Sequence, residues 1–91
     1  MSGRHTETVT ISNRLGLHAR AANSFVRVAN LYKADIMVAK GSQKVNAKSI
    51  LGILTLAAGY NSKITIKGEG EDAEKAVEAL AQLVRDGFEL S

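Results

Sequence analysis

The 91 residues, of which 45% are hydrophobic, can bury one core, so we expect a single domain spanning 1–91 with a net charge of +3. Cysteine is absent, which excludes disulfides and thiolate metal sites and fits a reducing cytoplasm. No apolar run reaches the roughly 18 residues of a membrane span, and no signal-peptide core follows the start of the chain, so we expect a cytoplasmic protein without membrane insertion.

Hydrophobic spacing predicts seven elements of secondary structure. Alternating apolar residues indicate strands, and apolar stripes at helical spacing indicate amphipathic helices. Glycine, asparagine and aspartate must supply the turns, because the chain contains no proline. In chain order the predicted elements are a strand over 6–11, a helix over 19–32, strands over 34–40 and 43–47, a helix over 50–58, a strand over 63–67, and a helix that Asp72 caps and Gly87 ends.

This order of elements indicates a fold of the α+β class. Four strands and three helices that need one apolar surface favour a two-layer, open-faced β-sandwich, in the order βαββαβα with the helices on one face. The turn at Gly41-Ser42 joins two strands in a hairpin, which argues for a mainly antiparallel sheet. Residues 1–5 are expected to be frayed, as chain ends commonly are.

Charge is unevenly distributed along the chain. Residues 1–48 hold eight of the twelve lysines and arginines but only two acids, whereas residues 69–89 hold seven of the nine acids. The resulting positive surface suits an acidic protein, a phosphate or a nucleic acid. The four aromatic side chains are scattered rather than interleaved with basic residues, so nucleic-acid binding is not favoured.

His18 stands where a loop enters the first predicted helix. The amides of a helix's first turn lack intrahelical partners and the helix dipole is positive there, so this end attracts phosphate. A neutral imidazole is a nucleophile, and the Arg20 guanidinium can bond phosphate oxygens. These residue types fit a reversible phosphohistidine, although a lone histidine at such a position is usually an ordinary surface or cap residue. With only two histidines and no cysteine, neither a metal site nor a hydrolytic triad is supported.

Residues 13–22, Asn-Arg-Leu-Gly-Leu-His-Ala-Arg-Ala-Ala, resemble the active-site segment of HPr proteins, the phosphocarriers of the bacterial phosphoenolpyruvate-dependent phosphotransferase system. Residues 45–54 resemble that family's second motif, and the predicted elements match its fold. The resemblance implies that His18 takes a phosphoryl group from enzyme I, that Arg20 stabilises it, and that acceptors of the IIA type receive it. It implies neither a cofactor nor an autonomous enzyme. The family usually has proline where this chain has Ala21, so we expect altered rigidity or transfer rate rather than lost chemistry.

Ser49 precedes the second predicted helix and is first of all its cap. The resemblance implies a second role, because this serine aligns with the position that HPr kinase/phosphorylase phosphorylates in many bacteria. A phosphate there would add about two negative charges beside the docking surface and weaken contact with acidic partners. The resemblance therefore marks Ser49 as a regulatory site.

The second predicted helix is apolar around nearly its whole circumference. A thin two-layer domain cannot bury all of these side chains, so we expect Leu51 above all to remain exposed beside His18. Leu51 and Leu54 would then form an apolar docking patch. Arg27 and Lys48, together with Arg20, would surround that patch with positive charge and speed association with acidic partners.

A second interpretation is a regulatory binding module whose phosphorylation state controls partner enzymes or transcription factors. A related regulatory paralogue lacks the active-site histidine, so His18 favours the carrier, and the two roles are compatible. The sequence leaves both the sugar-uptake and the nitrogen-related branches open. We expect a monomer, because a transient carrier needs its docking surface free.

Overall fold

The computed structural model describes residues 3–88, which form one four-stranded sheet and three helices. The elements are β1 (Gly3–Thr10), α1 (Ala19–Ala29), β2 (Asp35–Lys40), β3 (Gln43–Asn46), α2 (Ile50–Thr55), β4 (Lys63–Gly70) and α3 (Ala73–Arg85). The strand order is β1-β4-β2-β3, and every neighbouring pair is antiparallel. The predicted α+β sandwich and its order βαββαβα are confirmed.

One face of the sheet is covered and the other is open. In β4, Ile64 and Ile66 are fully buried whereas Lys63 and Lys67 are exposed, as the two-residue period of a strand requires. The helices supply the opposite side of the core, with Phe25 of α1, Ile53 of α2 and Leu80 of α3 among its largest buried side chains. Within the described chain, no helix is long and apolar enough to cross a membrane.

The sheet is longer at its N-terminal edge than the sequence predicts. Strand β4 continues past residue 67 to Gly70, and this extension pairs with the start of β1, where Gly3 lies opposite Gly70 and Arg4 opposite Glu69. The expectation of a frayed 1–5 is therefore wrong for residues 3–5, because their backbone is bonded in the ladder. Met1 and Ser2 lie outside the described residues.

Two helices are shorter than predicted. Helix α1 ends at Ala29 rather than near residue 32. At this end of the helix, the side chain of Asn30 donates a hydrogen bond of 2.9 Å to the Val26 carbonyl. Helix α2 ends at Thr55, since Ala57 adopts a left-handed backbone with φ of 48°. The Gln43 side chain binds the Thr55 carbonyl there, so the β2–β3 hairpin caps the helix end. Strands β2 and β3 are each one residue shorter than predicted.

Asp72 precedes α3 as predicted, but within the described chain its side chain does not cap that helix. Its carboxylate accepts hydrogen bonds from the amides of Lys33 and Ala34, at 2.9 and 2.8 Å. The Lys33 amide above all, and then that of Ala34, hold the pKa of the Asp72 carboxyl below its usual range. Asp72 is thus a link between the start of α3 and the start of β2.

Gly87 ends α3 as predicted. Its φ is +69°, and its amide donates to the Val84 carbonyl at 3.0 Å while the Phe88 amide donates to the Leu83 carbonyl at 2.8 Å. These two bonds form a Schellman motif, which needs a left-handed residue at this position. The motif turns Phe88 back against the body of the protein.

Candidate functional site

His18 occupies the N-cap position of α1, with φ of −74° and ψ of 177°. Its carbonyl accepts the Ala22 amide at 2.8 Å, but its imidazole makes no capping hydrogen bond to any residue in 3–88. The first turn of α1 contains no acidic side chain. The half-buried imidazole therefore stands at a helix start whose amides and positive dipole are available to an anion.

The loop before His18 is held tightly against the rest of the protein. Gly16 has a φ of +65°, and a Cβ there would lie only 2.6 Å from the Ala58 carbonyl oxygen and 2.7 Å from the Gly59 Cα. The Leu17 amide donates to the same Ala58 carbonyl at 2.8 Å. Glycine is required at position 16 for both its backbone conformation and its close approach.

A cleft of about 640 Å³ opens beside His18, between α1 and the end of α3. Two arginines, Arg20 and Arg27, are among the residues that line the cleft, and none of the described lining residues is acidic. Arg20 and Arg27 form no ion pair with another residue in 3–88. The cleft is therefore suited to a phosphate or an acidic side chain. Its lining comprises Leu15, His18, Arg20, Ala21, Asn23, Ser24, Arg27, Gly87 and Phe88.

Sequence reasoning missed one wall of this cleft. Gly87 and Phe88 reach it only because the Schellman turn folds the chain back after α3, some 70 residues along the chain from His18. Leu15, in the loop before His18, is 76% exposed at the rim of the cleft. The glycine after an amphipathic helix signals a turn, but not which surface that turn meets.

The exposed side of α2 carries the predicted apolar residues. Leu51 is 73% exposed and Leu54 is 36% exposed, whereas Ile53 is fully buried. The expectation that Leu51 remains exposed is confirmed. Helices α1 and α2 pack against each other, which joins this apolar side to the helix that carries His18.

The three predicted docking cations are not equivalent in the structure. Arg20 and Arg27 line the cleft together. The Nζ of Lys48 instead donates to the Tyr32 carbonyl at 2.7 Å, so its ammonium is bonded near the C-terminal end of α1. Lys48 adds positive charge to this side of the molecule, but its ammonium already has a partner.

Ser49 is the N-cap of α2, as predicted. Its Oγ accepts the Gly52 amide at 3.1 Å, and its carbonyl accepts the Ile53 amide at 3.0 Å. A Cβ at Gly52 would lie 3.3 Å from that Oγ, so glycine leaves room for the cap. The hydroxyl thus has a structural role in the unmodified protein.

The second histidine lies away from the cleft. His5 is half-buried in β1, with its Nε2 3.7 Å from a carboxylate oxygen of Glu7, and Arg85 binds the other oxygen of that carboxylate at 2.9 Å. Among residues 3–88, no three His, Cys, Asp or Glu side chains converge as a metal site would require. His18 is thus the histidine that the fold places beside free cations.

Comparison with known proteins gives consistent matches. The family described as "PTS HPr component phosphorylation site" matches residues 5–86. Phosphocarrier protein NPr of Shewanella violacea is 43% identical over 81 residues, covering 89% of each chain. The crystal structure of phosphocarrier protein HPr from Bacillus anthracis has 50% identity and a TM-score of 0.84, covering 88% of this chain and 95% of that one. The catabolite-repression protein Crh of Bacillus subtilis, described as a dimer with a swapping domain, has 39% identity and a TM-score of 0.74, covering 87% and 91%.

Proposed function

The chain belongs to the HPr family of phosphocarrier proteins, and we propose that His18 is the residue on which it carries the phosphoryl group. A phosphocarrier is a substrate and a donor in a relay rather than an autonomous enzyme. One observation carries the proposal. The imidazole of His18 makes no capping hydrogen bond to any described residue at the start of α1, and it lies beside the cleft that Arg20 and Arg27 line. No other histidine of residues 3–88 has that setting.

The chemistry needs little beyond positioning and charge. A ring nitrogen of His18 attacks phosphorus, so that a nitrogen–phosphorus bond forms while the bond to the donor breaks and its electron pair stays on the donor. The three phosphoryl oxygens carry negative charge throughout. In this proposal the first amides of α1 and the guanidinium of Arg20, which lines the same cleft as His18, stabilise that charge. Transfer onward repeats the same steps with His18 as the leaving group.

The proposed donor is phosphorylated enzyme I, and the proposed acceptors are domains of the IIA type. Both must reach the same imidazole, so they use one surface in turn. Leu51 and Leu54 offer an apolar contact on α2, and Arg27 offers positive charge to acidic partners. Lys48 contributes long-range charge only, because its ammonium is bonded to the Tyr32 carbonyl.

Ser49 is the proposed regulatory site, with HPr kinase/phosphorylase as the enzyme that would modify it. The Oγ that would receive the phosphate already accepts the Gly52 amide, so the added oxygens can replace that cap while adding charge. The alternative function is a regulatory binding module that acts through its phosphorylation state. It uses the same two residues, and the presence of His18 makes it an addition to transfer rather than a substitute.

We propose a cytoplasmic, single-domain monomer that neither inserts into membranes nor binds nucleic acid. Monomers suit a carrier that must release one partner before it meets the next. The swapped dimer of Crh is the competing arrangement. Light scattering at several protein concentrations distinguishes the two arrangements. A measured molecular mass that rises to twice that of the single chain would contradict the monomer.

The test is transfer of labelled phosphate from phosphoenolpyruvate through purified enzyme I. The wild-type chain should gain an acid-labile, base-stable label, and His18→Ala should gain none. His5→Ala is the matched control and should be labelled normally, because His5 lies in β1 beside Glu7. Label on His18→Ala, or none on the wild type when a control carrier is phosphorylated, rejects the proposal.

A further inference from the structure

The loop before His18 contains an amide side chain that the transfer chemistry does not use. The Asn13 Nδ2 donates to the Gly16 carbonyl at 2.8 Å, and the Gly16 amide donates back to the Asn13 carbonyl at 3.1 Å. The His18 amide donates to the same Gly16 carbonyl at 2.9 Å. One oxygen therefore receives both the Asn13 side chain and the backbone of the proposed phosphorylated residue.

This turn is anchored at the end of α3. The Ser12 Oγ lies 3.4 Å from the Val84 carbonyl oxygen, to which it donates. A Cβ at Gly87 would lie 3.8 Å from the Asn13 Cβ, so Asn13 sits against the residue that forms one wall of the cleft. Asn13 thus connects the His18 turn to the opposite side of the site.

The other polar atom of this side chain is unsatisfied. Among residues 3–88, the Asn13 Oδ1 is the one buried side-chain nitrogen or oxygen without a hydrogen-bond partner. A buried acceptor without a partner opposes folding and calls for an explanation. Stability alone gives little reason for an amide here, whereas the Nδ2 bond to the Gly16 carbonyl gives a reason that concerns His18.

The first turn of α1 is not fixed by proline. This chain has Ala21 there, whereas a proline at that position would set the backbone φ of the turn. Ala21 is buried in that turn, and unlike proline it does not itself restrict φ. The geometry of His18 therefore depends more on the turn that precedes it, which Asn13 and the close approach of Gly16 to Ala58 hold in place.

We propose that Asn13 is a positioning residue for His18. Its Nδ2 holds the Gly16 carbonyl in place, and because the His18 amide is bonded to the same carbonyl, this fixes the orientation of His18 beside the cleft. The inference rests on the proposed function of His18. Asn13 does not touch the phosphate; it limits the orientations of the turn, so its loss lowers the fraction of molecules in the reactive geometry. Docking is unaffected, because Leu51 and Arg27 lie on other elements.

The kinetic test follows enzyme I with this chain as its substrate. Asn13→Ala should lower kcat about fivefold to tenfold, the effect of loosening one hydrogen bond, with little change in KM. Asn13→Asp should lower it at least as much, because a carboxylate cannot donate to the Gly16 carbonyl. Arg14→Ala, at the neighbouring exposed position, is the control and should leave kcat unchanged. Adding Ala21→Pro to Asn13→Ala should restore most of the lost rate.

A second measurement does not depend on enzyme I. Hydrogen exchange at the His18 amide, which is bonded to the Gly16 carbonyl, should be faster in Asn13→Ala and slower again when Ala21→Pro is added. An unchanged exchange rate, or an unchanged kcat where the wild type is phosphorylated, overturns the proposal. If the wild type is not phosphorylated, the function proposed for His18 fails, and the exchange rate alone decides the role of Asn13.

Discussion

The carboxylate of Asp72 accepts a hydrogen bond of 2.8 Å from the amide of Ala34, 38 residues earlier in the chain. The Lys33 amide makes a second bond to the same carboxylate at 2.9 Å. Asp72 sits directly before α3, and Ala34 directly before β2. One side chain therefore joins the beginnings of two elements, and its ionisation is tied to folding.

The Asp72 link predicts a dependence of stability on pH. Because the Lys33 amide first of all holds the folded pKa of Asp72 below that of the unfolded chain, this carboxylate contributes stability above the unfolded pKa of about 3.9. That contribution is lost as the pH falls through the folded pKa. Asp72→Asn should lower the urea midpoint at neutral pH, and its difference from the wild type should shrink in acid. Glu74→Gln is the control; a difference for Asp72→Asn that is constant with pH contradicts the link.

Gly16 and Gly41 separate backbone strain from steric conflict. Both have left-handed φ values, +65° and +61°, but a Cβ at Gly41 meets nothing within 4 Å. Gly41→Ala should cost about 1–2 kcal/mol in free energy of unfolding. Gly16→Ala should cost roughly 1–3 kcal/mol more, because its Cβ meets the backbone of Ala58 and Gly59. Urea unfolding of the two variants is the measurement. Equal losses in free energy of unfolding would show that the loop at Gly16 shifts to make room for the added Cβ.

Leu51 should matter for association and not for folding. Leu51→Glu should change the free energy of unfolding by no more than about 0.5 kcal/mol, because the side chain is 73% exposed. Its KM as a substrate of enzyme I should rise roughly tenfold, as for an apolar contact at the centre of an interface. Leu31→Glu, 76% exposed just beyond α1, is the matched control. Equal KM values for the two variants would remove Leu51 from the docking surface.

Substitutions at Ser49 distinguish its cap from its proposed charge switch. Ser49→Ala removes the acceptor of the Gly52 amide and should cost about 1 kcal/mol in free energy of unfolding. Ser49→Asp keeps an acceptor oxygen and should retain stability, while its negative charge slows transfer from an acidic donor. Unfolding and transfer rates are measured on the same samples. A wild-type transfer rate for Ser49→Asp argues against regulation by charge.

Local patterns predicted the elements, but not all of their ends. The alternation of Ile64 and Ile66 placed β4 correctly, because one buried face suffices to specify a strand. Its continuation to Gly70 depends on pairing with β1, which is remote in sequence. Helix α2 reads as apolar to residue 58, yet Gln43 from the β2–β3 hairpin caps it at Thr55. The ends of these elements are thus set by contacts with residues distant in sequence, which a short stretch of sequence does not contain.

The candidate site divides in the same way. His18 and Arg20 could be predicted as candidates because the loop-to-helix junction and the resemblance both lie in one short segment. The wall made by Gly87 and Phe88 was not, since it is brought there by the turn after α3. Nor does composition reveal that the Lys48 ammonium bonds a carbonyl, which depends on where α1 ends. The positive charge of these side chains was predictable from the sequence, but whether each one is free to bind a partner was not.

The position of β4 between β1 and β2 also constrains how the chain acquires its structure during synthesis. The β2–β3 hairpin can pair as soon as residue 46 has left the ribosome, but β1 has no partner until residues 63–70 follow. The His18 segment is translated early, but its contacts with Ala58 and Gly59, and then with the end of α3, form only after those later residues have been made. Assembly of the site is therefore a late event, governed by long-range pairing rather than by local helix formation.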